Sequence, residues 1–258
     1  MIDMHCHIIP GIDDGSRSIG VSESMLRIAS AQGTKTIIAT PHYYKGYYEN
    51  NYEDVKNQTA SLNQFAKELN IDIEILPGQE ILLDKYTLQG YKEGILSGLN
   101  GTKYMLAEFS MDKMPKDSLD ILYELRLLGV KIIIAHPERY VFIIESPKLI
   151  NSFIEEGCLF QLNSGSITGI FGKKVKETSQ LLLGHGVYSF IASDAHSDGG
   201  RNPGLKDAFY MASQIDIGIE ERVQVNCQAM LKNLDIKKDF EKLPDKKSIF
   251  EFFKKKNK

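Results

Sequence analysis

Seven short apolar runs recur along this chain, and each closes on or beside histidine, an acid or asparagine. They are Ile2 to His7, Thr36 to His42, Ile71 to Glu80, Tyr104 to Phe109, Lys131 to His136, Leu159 to Asn163 and Ser189 to His196. Their spacing, roughly 30 residues, is the length of a strand–helix–strand unit. A run such as Lys131-Ile132-Ile133-Ile134-Ala135 is apolar throughout, as parallel strands covered on both faces require. The pattern predicts an α/β fold. Seven strand–helix repeats running one way close into a distorted (β/α)7 barrel, one strand short of the usual eight. An open doubly wound sheet is the alternative.

The stretches between the runs carry helix punctuation. Ser146-Pro147 sets a capping hydroxyl before a proline at a first helical position, and Gly157 closes that helix. Asp117-Ser118 opens another that ends at Gly129, and Asn51 to Leu69 spells a longer helix ending near Asn70. No proline- or glycine-rich linker interrupts the chain, so residues 1–258 are expected to form one domain, with a lysine-rich tail over 245–258.

Composition narrows the partners. Hydrophobic residues make up 42% and charged residues 25%, enough apolar content for a sizeable core. A net charge of -3 and no basic stripe argue against a nucleic-acid backbone as the ligand. No stretch approaches the roughly 18–20 apolar residues of a membrane span, and Met1-Ile2-Asp3-Met4-His5 lacks the basic, apolar plan of a signal peptide. Cys6, Cys158 and Cys227 are odd in number and far apart, which fits a reducing compartment; a cytoplasmic protein without membrane insertion is expected.

In barrel enzymes the carboxyl ends of the strands carry the active site. Here those ends supply His5 and His7, His42, Glu80, Glu108, His136, Asn163, then Asp194 and His196. Five of the six histidines fall there, His185 being the exception. Side chains alternate along a strand, so His5 and His7 share one side while Cys6 takes the other; Asp194 and His196 pair in the same way. Such a cluster of buried acids and imidazoles is costly to desolvate unless divalent cations neutralise it. Imidazole and carboxylate without thiolate suit manganese, iron or zinc, and an open N/O site is of the catalytic kind. Two ions about 3.5–4 Å apart can clamp a phosphate for in-line displacement.

The opening Asp3-Met4-His5-Cys6-His7-Ile8-Ile9-Pro10-Gly11-Ile12-Asp13-Asp14-Gly15 resembles the start of the polymerase-and-histidinol-phosphatase (PHP) superfamily. Within it, the chain is most similar to the manganese-dependent protein-tyrosine phosphatases of Gram-positive capsule and exopolysaccharide loci. Ala39-Thr40-Pro41-His42, Gly78-Gln79-Glu80, Ile134-Ala135-His136-Pro137-Glu138-Arg139 and Ser193-Asp194-Ala195-His196 match in order and spacing. The similarity runs to about Arg201 and fades over the C-terminal stretch.

This resemblance implies a centre of two or three manganese ions in a distorted seven-stranded barrel, with iron or zinc as possible occupants. One ion takes His5, His7, Glu80 and Asp194. A second shares Glu80 and takes Glu108 and His136. The third takes Asp14, His42 and His196, with Asp13 as the alternative to Asp14. Arg139 and Arg201, two of six arginines, are implied to hold the substrate phosphate, which suits a guanidinium fork. Surface ion pairs are their bland alternative. Tyr43 leads a tyrosine run, with Tyr44, Tyr47, Tyr48 and Tyr52, that either stacks on a substrate ring or packs as an ordinary loop. Asn163 is either a hydrogen-bonding site residue or a turn residue. Glu138 and Ser193 are expected to support or pack, and Asp3 to orient a ligand.

The implied reaction is hydrolysis of phosphotyrosine by a metal-bound hydroxide, with the tyrosine-rich C-terminal tail of a bacterial tyrosine kinase as partner. Cysteine-based chemistry needs an arginine at the sixth residue after the nucleophile; those positions hold Ile12, Ser164 and Asn233. The rivals are a small-molecule phosphatase of the histidinol-phosphate type, a nuclease, and a non-catalytic, metal-stabilised regulatory protein.

Overall fold

The structure, a computed structural model, describes residues 1–237, 240 and 242–244. The expectation for the lysine-rich tail over 245–258 lies outside these residues.

The strands are β1 (Ile2–Cys6), β2 (Thr36–Ala39), β3 (His42–Tyr44), β4 (Tyr48–Glu49), β5 (Glu74–Pro77), β6 (Glu80–Leu82), β7 (Tyr104–Glu108), β8 (Lys131–Ala135), β9 (Leu159–Asn163) and β10 (Phe190–Ala192). Between and after them run α1 (Ile19–Ala31), α2 (Tyr52–Glu68), α3 (Thr87–Lys92), α4 (Ser118–Leu127), α5 (Val141–Glu145), α6 (Ile150–Glu155), α7 (Ser164–Thr168), α8 (Lys173–Gly184), α9 (Lys206–Ser213) and α10 (Ile219–Leu231).

Two of the seven expected strands are broken in two. The run from Thr36 to His42 splits into β2 and β3 at Thr40-Pro41, where proline offers no N–H to a ladder. The run ending at Glu80 splits into β5 and β6 at Gly78-Gln79. A side chain at Gly78 would meet Leu99 and Ile38 at under 3 Å, so only glycine lets the strand pass there. The first halves lie in a sheet of order β1-β2-β5; the second halves continue into a sheet of order β10-β9-β8-β7-β6-β3-β4. All pairings are parallel except the short β3–β4 hairpin.

The ring closes between its first and last strands. Cys6 bridges Ala195 in parallel, Asp194 N donates to His5 O at 2.9 Å, and His7 N donates to Ala195 O at 2.9 Å. The strands therefore neighbour one another in chain order round a distorted barrel, which excludes the open doubly wound sheet.

Helices cover the outside. Met25, Leu26 and Ala29 of α1 and Val55, Leu62 and Ala66 of α2 pack against Cys6, Ile37 and Ile75. A larger cluster joins the remaining strands to the other helices, through residues such as Leu106, Ile133, Phe160, Leu182 and Val223. Burying a leucine- or phenylalanine-sized side chain is worth about 1.5–3 kcal/mol, so these clusters hold the barrel mouth open against the cost of its polar lining. Helix ends fall close to their sequence signals: Asn70, Gly129 and Gly157 all take positive φ just past helix ends. The helix expected from Ser146 differs, being a 3-10 turn over Pro147–Leu149 that feeds α6, with no capping bond from Ser146.

Candidate metal centre

The geometry begins at β1. All five of its residues are buried, and alternation sends His5 and His7 to one side of the strand and Cys6 to the other, where its thiol lies 3.9 Å from Ala195 O. Each imidazole is held from behind. His5 Nδ1 donates to Gln161 Oε1 at 3.0 Å, and His7 Nδ1 donates to Asp13 Oδ2 at 2.8 Å. Both Nε2 atoms then point the same way, and they lie only 3.2 Å apart.

The chain leaves His7 and folds straight back over it. Ser16 N donates to His7 O at 3.0 Å, and a Cβ on Gly15 would sit 2.4 Å from both His7 Cβ and His7 O. That close approach divides the two neighbouring acids. Asp13 is spent on His7, on Gly15 N at 2.9 Å and on His42 N at 3.0 Å. Asp14 instead turns Oδ1 to His42 Nε2 and His196 Nε2, at 3.3 Å from each. Of the two candidates, Asp14 faces the cluster and Asp13 orients an imidazole.

Glu80 lies at the centre. Pairing of His42 with Glu80 across β3 and β6 brings both to the barrel mouth. Glu80 Oε2 lies 3.2 Å from His5 Nε2, 3.1 Å from His7 Nε2 and 3.2 Å from His42 Nδ1. Glu80 Oε1 lies 2.9 Å from His136 Nε2. Glu108, at the end of β7, reaches His42 Nδ1 at 3.1 Å and lies 3.9 Å from His136 Nε2.

The remaining groups come from two strained turns. His136 (φ 34°) and Asp194 (φ 50°) adopt the left-handed region just after β8 and β10. For a non-glycine residue this costs about 1 kcal/mol or more, and such strain gathers at functional sites. Asp194 serves two neighbourhoods. Its Oδ1 lies 3.5 Å from His5 Nε2, 3.5 Å from His7 Nε2 and 3.4 Å from His196 Nδ1. Its Oδ2 accepts from Arg139 Nη1 at 2.8 Å and from Asn163 Nδ2 at 2.5 Å, and pairs with Arg201 Nη2 at 2.8 Å, while Arg201 Nη2 donates to the Asp194 carbonyl at 3.2 Å.

Three groups of side chains thus have ligand atoms close enough to share an ion: His5, His7, Glu80 and Asp194; His7, Asp14, His42 and His196; and His42, Glu80 and Glu108. The first is the foursome expected for one ion. The second adds His7 to the expected trio. The third has His42 where His136 was expected, although His136 stands at hydrogen-bond distance from Glu80.

The arrangement fits cations on its own chemistry. With Nδ1 of His5 and His7 donating elsewhere, their facing Nε2 atoms are two lone pairs 3.2 Å apart unless protons or a cation lie between them. Glu80 Oε2 is a buried acceptor without a hydrogen bond of its own. Without an ion, protons take the cation's place. Burial opposes charging the imidazoles, but the Glu80 carboxylate outweighs it at His5, Asp13 lifts His7 to about 9, and Glu80 with Asp14 and Glu108 lifts His42 to about 12. Burial also opposes ionising Glu80 and Asp194, yet the imidazoles, and Arg201 at Asp194, hold both below the ordinary carboxylate range. Hydrogen bonds from His196 and His42 do the same for Asp14. His196 goes the other way, down to about 4, because burial and neighbouring His7 disfavour its charge.

One expectation is corrected. Tyr43 is 6% exposed and sits in the hydrophobic core, because alternation along β3 turns it away from the side His42 takes. It cannot lie under a substrate ring. Tyr48 on β4 stacks against His42 instead, with centroids 5.9 Å apart at 16°. Tyr44 and Tyr47 stack on each other at the exposed rim.

The supporting residues are dense. Asp3 accepts from Ser193 N at 3.0 Å and from Ser193 Oγ at 2.5 Å, fixing the turn that carries Asp194. Glu138 accepts from Asn163 N and Tyr188 OH, a packing role. Asn163 both grips Asp194 and caps α7 through Gly165 N. Gln161 and Phe171 had no sequence signal. Gln161 is an internal strand residue, and Phe171 lies in a glycine-flanked turn whose ring contacts both arginines.

Comparison with known proteins agrees with this geometry. The family described as "Capsular polysaccharide synthesis, CpsB/CapC" matches residues 1–232. The tyrosine-protein phosphatase YwqE of Bacillus subtilis is 38% identical over 255 residues, covering 98% of this chain and all of that protein. A solved structure described under YwqE from Bacillus subtilis and CpsB from Streptococcus pneumoniae, "unique metal-dependent tyrosine phosphatases", superposes with a TM-score of 0.89 at 38% identity, covering 95% of this chain and 100% of that one. The histidinol phosphate phosphatase of Lactococcus lactis shares the fold at a TM-score of 0.55 and 14% identity, over 86% of this chain and 93% of that one.

Proposed function

The chain belongs to the CpsB/CapC family of capsular polysaccharide synthesis, and from that membership and the geometry of the barrel mouth we propose that it is a metal-dependent protein-tyrosine phosphatase. The observation that carries the proposal is Glu80 Oε2, ringed by three imidazole nitrogens at 3.1–3.2 Å, with two arginines behind the adjoining Asp194.

His5, His7, Asp14, His42, Glu80, Glu108, His136, Asp194 and His196 would hold two or three divalent ions. Manganese is the proposed metal, with iron or zinc compatible with the same nitrogen and oxygen donors. When bound, such ions act as Lewis acids and supply a hydroxide nucleophile at neutral pH. Gln161, Asp13 and the Asp194 carbonyl take the Nδ1 protons of His5, His7 and His196, which leaves each Nε2 turned to the cluster.

Arg139 and Arg201 grip the phosphoryl oxygens. Each spends only part of its donor fork on Asp194, and Arg201 Nε is a buried donor with no acceptor, which suits an incoming anion. Tyr48, stacked on His42, offers a face at the rim for the substrate's phenyl ring. A phenolate leaves with a pKa near 10, so the chemistry does not depend on a strong general acid. Cysteine chemistry is disfavoured: burial pushes the Cys6 thiol well above its ordinary value, and its sulfur is turned toward Ala195 O.

The proposed substrate is a phosphotyrosyl protein, namely the C-terminal tyrosine cluster of a bacterial kinase governing polysaccharide export, met in the cytoplasm. Among the described residues no helix is long and apolar enough to cross a membrane.

Hydrolysis of a phosphotyrosyl peptide by protein stripped with EDTA, with and without manganese, tests the proposal. Activity that returns only with metal is expected. Faster turnover of histidinol phosphate than of the peptide would move the protein to the small-molecule class. Loaded protein inert toward both would favour a regulatory role.

A further inference from the structure

Phe171 is in none of the three groups of candidate metal ligands, yet it touches both arginines. It lies between α7 and α8 in the turn Gly169-Ile170-Phe171-Gly172, whose two glycines both have positive φ, 97° and 91°. Gly172 N donates to Gly169 O at 3.1 Å and Ile170 N to Gly165 O at 2.8 Å, so the turn is tied to itself and to the start of α7. The ring is seated tightly on that side: a Cβ on Gly165 would lie 2.7 Å from Phe171 Cε2. The Arg139 guanidinium carbon lies 4.3 Å, and that of Arg201 5.6 Å, from the ring centroid. Both distances are within the range of a cation–π contact.

Two like charges drawn to one carboxylate oxygen repel each other, and only some of their donors are fixed. Arg201 has somewhere else to go. A cavity of about 270 Å³ opens beside it, lined in part by Ser164, Thr168, Asn202 and Asp207, with Phe171 on its wall. Arg201 is tied to Asp194 through Nη2, its Nε has no acceptor, and the Asp207 carboxylate at the exposed edge would attract the guanidinium outward. The electron-rich face of Phe171 adds to the pull of Asp194 on both guanidiniums.

We propose that Phe171 is a positioning residue, whose ring holds Arg139 and Arg201 side by side with their free N–H edges turned to the phosphoryl group. This rests on the two arginines forming the phosphate clamp. A clamp held in register by a ring affects phosphate binding more than the chemical step, because Phe171 lies outside all three groups of candidate metal ligands.

The experiment measures kcat and KM on a phosphotyrosyl peptide, inhibition by inorganic phosphate, and metal per chain, for Phe171→Ala, Phe171→Leu and Phe171→Tyr in manganese-loaded protein. Phe171→Ala should raise KM and the phosphate inhibition constant together, by about tenfold, the size of one to two cation–π contacts. Its kcat should stay within about threefold and its metal content unchanged. Phe171→Leu keeps most of the bulk without the π face and should show most of the same loss; Phe171→Tyr should restore both constants. Leucine behaving as wild type would reduce Phe171 to a space-filler and overturn the proposal, as would parallel loss of kcat and metal. Arg139→Lys and Arg201→Lys, measured alongside, separate the two levels: if neither moves the phosphate constant, the clamp itself is wrong, whatever Phe171 does. A Phe171→Ala chain that fails to fold leaves the leucine and tyrosine variants to decide.

Discussion

Arg139 donates from Nη1 to Oδ2 of Asp194 at 2.8 Å, and the other oxygen of that carboxylate faces the imidazoles of His5 and His7 at 3.5 Å. One side chain therefore joins the arginine pair to the candidate metal-ligand cluster, so a phosphate held by the arginines would lie beside the ions that cluster would hold. Arg139→Lys keeps the charge but loses the planar fork. KM for a phosphotyrosyl peptide should rise at least about tenfold while metal content stays at the wild-type level. Steady-state kinetics with elemental analysis checks both; a fall in bound metal would mean that Arg139 supports the cluster rather than the substrate.

Glu80 reaches four imidazoles with two oxygens. Glu80→Ala should lower bound manganese and cut turnover by at least about a hundredfold, more than loss of a supporting residue typically costs. Elemental analysis of the purified variant, beside peptide hydrolysis, is the test. Normal activity would remove the shared-carboxylate arrangement.

Gly15 has no room for a methyl group, since His7 Cβ and O already occupy the space. Gly15→Ala should push the following turn away from His7 and carry Asp14 off His42 and His196. The expected result is a folded protein, by circular dichroism, with reduced metal content and about tenfold or greater loss of activity. Unchanged metal stoichiometry would show that Asp14 is dispensable for retention.

The barrel and nearly all of its polar mouth were legible in the sequence, because strand ends repeat and histidine is rare enough to stand out there. What was not legible depends on the third dimension. The Thr40-Pro41 and Gly78-Gln79 breaks shift strands between sheets, and their consequence appears only when β3 meets β6. Asp13 and Asp14 are adjacent and chemically alike; the fold-back over His7 divides them, not their order. Tyr43 lost its expected place to strand alternation, a rule the sequence contains but whose phase after Pro41 it does not. Gln161 is one amide inside an apolar strand, and Phe171 one ring in a loop; neither has a spacing that marks it.

All three cysteines are buried, and burial drives Cys6 well above the ordinary thiol range and Cys227 up to about 12. A thiol with raised pKa carries almost no thiolate at pH 8, and the thiolate is the reactive form. Iodoacetamide should therefore leave the native protein unmodified by mass spectrometry, and Cys6→Ser should keep turnover within a few-fold. Rapid labelling with loss of activity would revive a cysteine nucleophile.

Metal binding should release protons. At pH 7 the ion-free protein carries His7 and His42 protonated, since their values lie near 9 and 12. An ion needs the lone pair, so each imidazole it binds gives up its proton. Both shifts are upward, so in the ion-free state these histidines contribute stability that is complete below about pH 6.5 and fades as pH climbs, through about 9 for His7 and about 12 for His42. The depressed carboxylates of Asp14, Glu80 and Asp194 work oppositely, contributing above their ordinary range near 4 and losing that contribution on acidification. Affinity for manganese should thus increase from pH 6.5 to 9, while ion-free protein melts at lower temperature over the same interval and loaded protein changes less. Calorimetric titration of stripped protein at pH 7, in buffers of different ionisation enthalpy, reads the protons directly. An apparent enthalpy that depends on the buffer, with at least one proton released per chain, is the expected outcome. Identical enthalpies in every buffer would mean that the imidazoles are already neutral before the ion binds, and would overturn the protonated ion-free state.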